Sequence, residues 1–261
     1  MRIIYPADSF NPKQVDEVYE EECRAAKEAG MEVSIFNFEE FLAGGFFPKP
    51  KLIGSESVLY RGWMLGASDY QRLAQSITVA GCRPITSPEA YLLCHHLPRW
   101  YPLLREFSAE TRFYDEHCAH MGADLADAGW TGCFLKDYVK SLSTHGGSLV
   151  HDLNQIPVVV EKMRKFRGQI EGGLCARRIE SYDPVSERRY FVLNGQAQGD
   201  GEEPPPNVMA AAALIQSPFF SVDVAMRADG VMRIVELGDG QVSDRKHWSS
   251  EEFIRMLSKG L

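Results

Sequence analysis

The chain has 261 residues, 44% hydrophobic and 25% charged, with a formal net charge of −8. That makeup belongs to a globular protein with a sizeable core, either one α/β domain or a few packed subdomains, and it excludes extended disorder. The acidic balance argues against nucleic-acid backbones as partners but leaves room for a small nucleotide in a local basic pocket. No run approaches the ~18 apolar residues of a membrane span. The opening MRIIYPADSF lacks the build of a signal peptide, so a cytoplasmic location is expected.

In chain order, Arg2 to Tyr5 reads as a short apolar strand. Asn11-Pro12 reads as an N-cap with proline in the first helical position; Val15, Val18, Tyr19, Glu22 and Ala26 continue at helical spacing to Gly30. Met31, Val33 and Ile35 alternate as a strand. Val58 to Tyr60 is a strand ending at Arg61, Ser68 opens a helix running to Gly81, and Ser87-Pro88 caps another whose apolar face is Ala90, Leu93, Cys94 and Leu97. These β-α-β units predict a small, largely parallel sheet. No GxGxxG or GxxxxGK[ST] loop occurs, which disfavours dinucleotide and Walker-type sites.

Beyond about residue 130 the pattern changes. Cys133 to Lys136 is a strand, a loop covers Ser141 to Ser148, and a helix runs from about Asn154 to Gly168 with Pro157 in its first turn. Strands follow at Leu174–Ile179, Glu187–Leu193, Phe219–Ala225 and Val231–Leu237, an α+β pattern. GDGEEPPP, from Gly199, is a surface loop. The six cysteines contain no CxxC, and Cys94-His95-His96 with His117-Cys118 and His120 fits no common zinc spacing.

Three pieces carry candidate chemistry. Asp229-Gly230 signals a two-residue hairpin turn, which would set Asp223 directly opposite Glu236. Facing acids repel; either a divalent cation held between oxygen ligands resolves the repulsion, with Asp239 a candidate third ligand, or the pair sits on a solvated outer face where the repulsion is screened. Lys136 ends a strand with Lys140 close behind, and a buried ammonium calls for an anion such as phosphate. Arg177-Arg178 and Glu187-Arg188-Arg189 are basic strand segments in which alternation sends only one of each arginine pair to a given face. Glu187 and Arg189 share a face, where a carboxylate can aim a guanidinium at phosphate.

The order FLKDYVKS, LCARRIES, ERRYFVLNGQ and FFSVDVA…DGVMRIVELGDG resembles the ATP-grasp superfamily, and most nearly its divergent clade named for one arginine and two lysines. That clade is related to the eukaryotic cell-division-cycle protein that promotes assembly of a translation initiation factor. The resemblance covers roughly residues 55–245. It implies an α+β ATP-grasp fold over residues 89–261, two subdomains with ATP between them, preceded by a pre-ATP-grasp-like α/β subdomain over 1–88. ATP and Mg2+ are the implied cofactors.

On this likeness Arg61 is the clade arginine and Lys136 and Lys140 its lysines. Arg177 lies at the hinge strand, and Glu180, Glu187 and Arg189 lie beside the nucleotide. Arg61, Lys140 and Arg189 are the implied catalytic set, and Asp223, Glu236 and Asp239 the metal ligands. The chain departs from the common pattern at Gly238, where an asparagine usually stands two residues after the last acid.

The implied activity is ADP-forming ligation of a carboxylate to an amine through an acyl phosphate. The substrate would be a small molecule, peptide or protein, with no nucleic-acid or membrane partner. The same parts would also serve a phosphotransferase or a low-turnover ATP-binding assembly factor.

Overall fold

The structure, a computed structural model, describes residues 1–139, 148–168 and 170–260. The chain folds into two compact units, one formed by residues 1–94, 188–223 and 237–261, the other by residues 95–187 and 224–236. The first unit therefore takes in the N-terminal β-α-β region and later segments as well.

The chain opens with β1 (Arg2–Pro6), α1 (Glu20–Glu28), β2 (Glu32–Phe36), α2 (Phe38–Leu42), β3 (Ser57–Tyr60), α3 (Ala67–Val79), β4 (Arg83–Pro84) and α4 (Pro88–His95). The strands form a parallel sheet in the order β2-β1-β3-β4, with Ile3 beside Val33 and Leu59. β1 is buried throughout because both faces are covered: Ile3 and Tyr5 enter one core cluster and Ile4 the other.

The first helix starts later than Asn11-Pro12 predicts. Asp8 Oδ1 accepts from the N–H groups of Phe10 and Asn11, so this segment closes a turn. Asp16 caps a 3-10 turn at Glu17–Tyr19 by accepting from Val18 N–H, and α1 follows. The face predicted to run unbroken to Leu97 is also split. Pro98 lacks the N–H that a continuing helix would bond back to Cys94, so a new helix, α5 (Leu97–Leu104), starts there.

α5 is followed by β5 (Thr111–Tyr114), α6 (Met121–Asp127), β6 (Cys133–Asp137), β7 (Leu149–Val150), α7 (Ile156–Arg167) and β8 (Leu174–Arg177). Gly168 stops α7 in the left-handed region, at φ 77°. These strands form a sheet in the order β5-β8-β6-β7, antiparallel in the β5-β8, β8-β6 and β6-β7 pairs. Cys133, Leu135, Leu174 and Ala176 bury one face against Met121, Leu125, Val160 and Met163 of α6 and α7.

The remaining elements are β9 (Arg188–Leu193), β10 (Gln196–Gln198), α8 (Pro206–Leu214), β11 (Phe219–Met226), β12 (Met232–Asp239) and α9 (Ser250–Gly260), with sheet order β10-β9-β11-β12. The β11–β12 turn differs from the two-residue reading. Gly230 N–H donates to Arg227 O and Arg227 N–H to Val231 O, both 2.8 Å, so the loop holds three residues. Gly230 supplies the left-handed position at φ 86°, and Asp229 pairs with Arg227 and accepts from Val231 N–H.

At the hairpin base, Gly240 N–H donates to Phe219 O. Between these two fixed points β12 spends one more residue than β11. Its burial alternation breaks between Ile234 and Leu237, both buried though three apart, which locates a bulge at Val235-Glu236. The direction of Glu236 is thus set by a bulge and not by simple alternation from the turn.

The first unit's core centres on Phe191, whose ring lies 5.8 Å from Phe219, 5.4 Å from Trp248 and 5.0 Å from Phe253 of α9. Among the described residues, no helix is long and apolar enough to cross a membrane. Phe191→Ala is expected to cost about 3–5 kcal/mol in denaturant unfolding, because three aromatic neighbours lose their shared contact.

Candidate functional site

In the second unit, the strand register decides which charges share a face. Phe134 pairs with Arg177 and Lys136 with Cys175, so Lys136, Cys175 and Arg177 all lie on the face opposite the α6/α7 core. Lys136 is buried, and its Nζ lies 3.3 Å from Glu236 Oε1, whose side chain is 45% exposed. Arg177 is also buried. Its Nη1 donates to Val235 O at 2.6 Å, while Nε and Nη2 have no partner among the described residues.

Burial pushes the Arg177 pKa down, against the opposing pull of Glu236. Burial likewise raises the Cys175 thiol to about 12, despite Lys136 and Arg177 acting the other way, so it stays protonated. Two buried cations share one half-exposed carboxylate here, and two guanidinium nitrogens go unsatisfied. That face is built for an anion.

Glu180, expected beside the nucleotide, has its carboxylate engaged by Arg227 at 2.9 Å, Arg233 at 3.2 Å and the Tyr182 hydroxyl at 2.7 Å. Burial raises its pKa, but these donors outweigh it and leave the net shift downward. With Asp183 N–H to Met226 O, Ala228 N–H to Ser181 O and Met226 N–H to Ser186 Oγ, Glu180 fastens the linker after β8 to the hairpin tip. Glu187 is exposed at the end of that linker. Lys140 lies outside the described residues.

In the first unit, Asp223 is buried and holds Arg189 in a two-pronged pair, both bonds 2.7 Å, with Lys246 Nζ at 3.1 Å from Oδ2. Arg189 Nη1 also donates to Asp244 Oδ1 and O. Lys246 adopts a left-handed backbone, φ 47°, uncommon for a residue with a Cβ.

Arg61, the expected catalytic arginine, is buried with all three nitrogens engaged. Nε and Nη2 pair with Glu22 at 2.8 Å each, and Nη1 donates to the carbonyls of Gly240, Gln241 and Ser243. Its guanidinium carbon lies 4.6 Å from the centre of the Phe253 ring. In this arrangement Arg61 is a positioning residue that pins the segment following β12.

Asp239 lies in the same buried region. Its Oδ1 accepts from the backbone and side-chain N–H groups of Gln241, which also donates to Tyr70 OH, while its Oδ2 has no partner among the described residues. Desolvation raises its pKa to about 7, against the lowering effect of Gln241 and Arg61. Among the described residues, no group of three or more His, Cys, Asp or Glu side chains is placed to hold a metal ion. The acidic set offers hard oxygens of the kind magnesium takes; among the described residues Glu236 is engaged through Oε1 alone, whereas both Asp223 oxygens are shared with cations.

Glu22, Lys246, Asp244 and Gln241 belong to these networks and were not candidates from sequence. Glu22 carried a signal: an acid at an apolar-face position of its helix demands a buried partner.

These sheets, each carrying buried charge, define the ATP-grasp fold. D-cycloserine synthetase DcsG matches with a TM-score of 0.70 at 14% identity, over 99% of both chains. ATP-grasp ligase PsnB, solved with a minimal precursor, Mg and ADP, matches at 0.60 and 14% identity, over 99% of this chain and 97% of that one. D-alanyl-alanine synthetase A from Vibrio cholerae O1 biovar eltor matches at 0.65 and 12%, over 100% and 98%. At such identities the likeness is one of fold. No curated protein matches the sequence. A family model, the ATP-grasp domain of R2K clade family 3, matches residues 100–257, and the chain belongs to that family.

Two predictions follow from the buried charges. Arg61→Met should cost about 3–5 kcal/mol in chemical unfolding by stripping buried Glu22 of its two-pronged partner and leaving it only Arg245 at 3.4 Å and the Tyr5 hydroxyl at 3.2 Å, and adding Glu22→Met should recover most of it. Asp239 holds its proton in the native state up to about pH 7, whereas an unfolded aspartate releases it near 3.9. Its contribution is therefore full below about pH 4 and lost as pH rises to about 7. In the metal-free protein, Asp239→Asn should match the parent in thermal unfolding at pH 4.5 and exceed it at pH 8, by an amount on the order of 2 kcal/mol.

Proposed function

We propose that this chain is an ATP-dependent carboxylate–amine ligase, ADP-forming and acting in the cytoplasm. The observation that carries the reading is the cationic face of the second unit: Lys136 and Arg177 are buried, and two N–H-bearing nitrogens of Arg177 have no partner among the described residues. Such groups are stabilised by phosphate oxygens far more than by water they cannot reach. Membership of the ATP-grasp family supports a nucleotide as the source of that phosphate. PsnB, of the same fold, is an ATP-grasp ligase solved with Mg and ADP, and MdnC is a macrocyclase solved with a precursor peptide, which supports a ligase acting on a peptide or small molecule.

Magnesium-ATP, when bound, supplies the phosphoryl group that converts a carboxylate into an acyl phosphate open to an amine. Lys136 and Arg177 neutralise the phosphate charge, and fixed donors of this kind cost no reorganisation as charge moves. Asp223, Glu236 and Asp239 would supply oxygen ligands for the metal, and Arg189 and Lys246 hold Asp223 in place until then. Glu180 and Glu187 belong to the linker that borders the nucleotide, and Lys140 is the second clade lysine. Arg61 acts through the segment it pins. No nucleophilic side chain is required, because positioning and electrostatics carry phosphoryl transfer.

Lys136→Met and Arg177→Met should each weaken ATP binding about 100-fold, measured by calorimetry, with unfolding temperature retained or raised. In turnover with an 18O-labelled carboxylate substrate, the label should appear in released phosphate. ATP hydrolysis without label transfer, or a stable phosphorylated product, would overturn the ligase reading.

A further inference from the structure

At the carboxyl end of β2 the first unit contains a cavity of about 670 Å3, lined by Phe36, Phe47, Pro12, Asn37, Glu40 and Lys49. Parallel sheets take ligands outside the carboxyl ends of their strands, and the volume lies within the roughly 300–1,000 Å3 range of small-ligand sites. None of the residues in the ATP-grasp reading lines it.

The outer wall is an added strand segment. Ile35 N–H donates to Lys49 O at 2.9 Å, and Lys49 N–H to Ile35 O at 2.8 Å. Both backbone groups of Lys49 thus face β2, and the edge of this segment is flanked by two prolines, Pro48, which is buried, and Pro50, whose carbonyl accepts from Ser34 Oγ at 2.7 Å. Neither has an N–H, so that edge cannot capture another strand. Recognition here must run through side chains.

Those side chains are set up for it. Phe47 is 64% exposed, yet its ring is seated: a Cβ on Gly45 would fall 2.9 Å from the ring and 3.1 Å from Glu40 Cγ. The missing side chain of Gly45 lets the aromatic ring and the glutamate stem lie together at the rim. Asn37 Oδ1 caps α2 by accepting from Glu40 N–H, which fixes Glu40 at the mouth. Among the described residues, Glu40 and Lys49 have no ion-pair partner, whereas neighbouring Glu39 is bonded to Ser9. A cavity with an apolar ring, one free carboxylate and one free ammonium complements a zwitterion bearing an apolar group.

We propose that this cavity binds a short zwitterionic peptide with a bulky apolar side chain. Glu40 receives its ammonium group, Lys49 its carboxylate, and Phe47 with Phe36 and Pro12 its side chain. The volume is several times that of one amino acid, which favours a peptide of two or three residues. The proposal does not depend on the ligase reading.

The test is calorimetry on the full chain without nucleotide, using Leu-Phe, N-acetyl-Leu-Phe-amide and free phenylalanine. Leu-Phe should bind, with blocking of both termini or truncation to phenylalanine each weakening it about tenfold or more. Lys49→Glu and Glu40→Lys should each cost about tenfold, and the double swap should recover part of the loss. Gly45→Ala should weaken binding through Phe47 with both charges intact. No Leu-Phe binding by protein of normal unfolding temperature would overturn the proposal, as would equal affinity for the blocked dipeptide or for phenylalanine. ATP binding measured on the same samples reports separately on the ligase reading.

Discussion

A guanidinium removed from water must find compensating groups, and three arginines of this chain meet that demand in different ways. Arg61 is saturated by Glu22 and three carbonyls, so its charge serves to hold chain segments 179 to 182 residues away in sequence. Arg189 is matched by Asp223 and Asp244. Arg177 is also buried, but two of its nitrogens have no partner among the described residues. The difference separates an architectural cation from one held in readiness, and no count of basic residues would have revealed it.

The same constraint shapes the final hairpin. Along its middle, Asp223 is committed to Arg189 and Lys246, and Glu236 is committed through one oxygen to Lys136. A plain two-residue turn would have tied the directions of both acids to one alternation. The three-residue loop and the bulge at Val235-Glu236 break that alternation, and each acid has its own partners. Glu180, with Arg227 and Arg233, then fixes the hairpin tip to the linker after β8. Asp239, a buried carboxyl with one oxygen unpartnered among the described residues, completes the set of charges whose state depends on what surrounds them.

Much of this was legible in the residues. Three strands of the parallel sheet, the helix ended by Gly168 and the paired β11–β12 strands all follow from short-range periodicity and punctuation. The ATP-grasp likeness followed from the order of basic and acidic strand segments, and the fold and family agree with it. Misreadings arose where two local signals competed. Asn11-Pro12 looks like a helix start, but Asp8 satisfies the same backbone groups in a turn. Asp229-Gly230 looks like a two-residue turn, but an added Ala228 lets Asp229 brace Arg227 and Val231.

The sequence by itself determined the principal strands and helices and the pool of residues able to handle phosphate and metal, because these rest on interactions among near neighbours. Tertiary structure alone decided which charges are spent and which remain available. Glu22 meets Arg61 across 39 residues and Asp223 meets Arg189 across 34, and such pairings depend on how separate segments are brought together. Burial then amplifies each pairing, since a charge removed from water is governed by the few groups it touches.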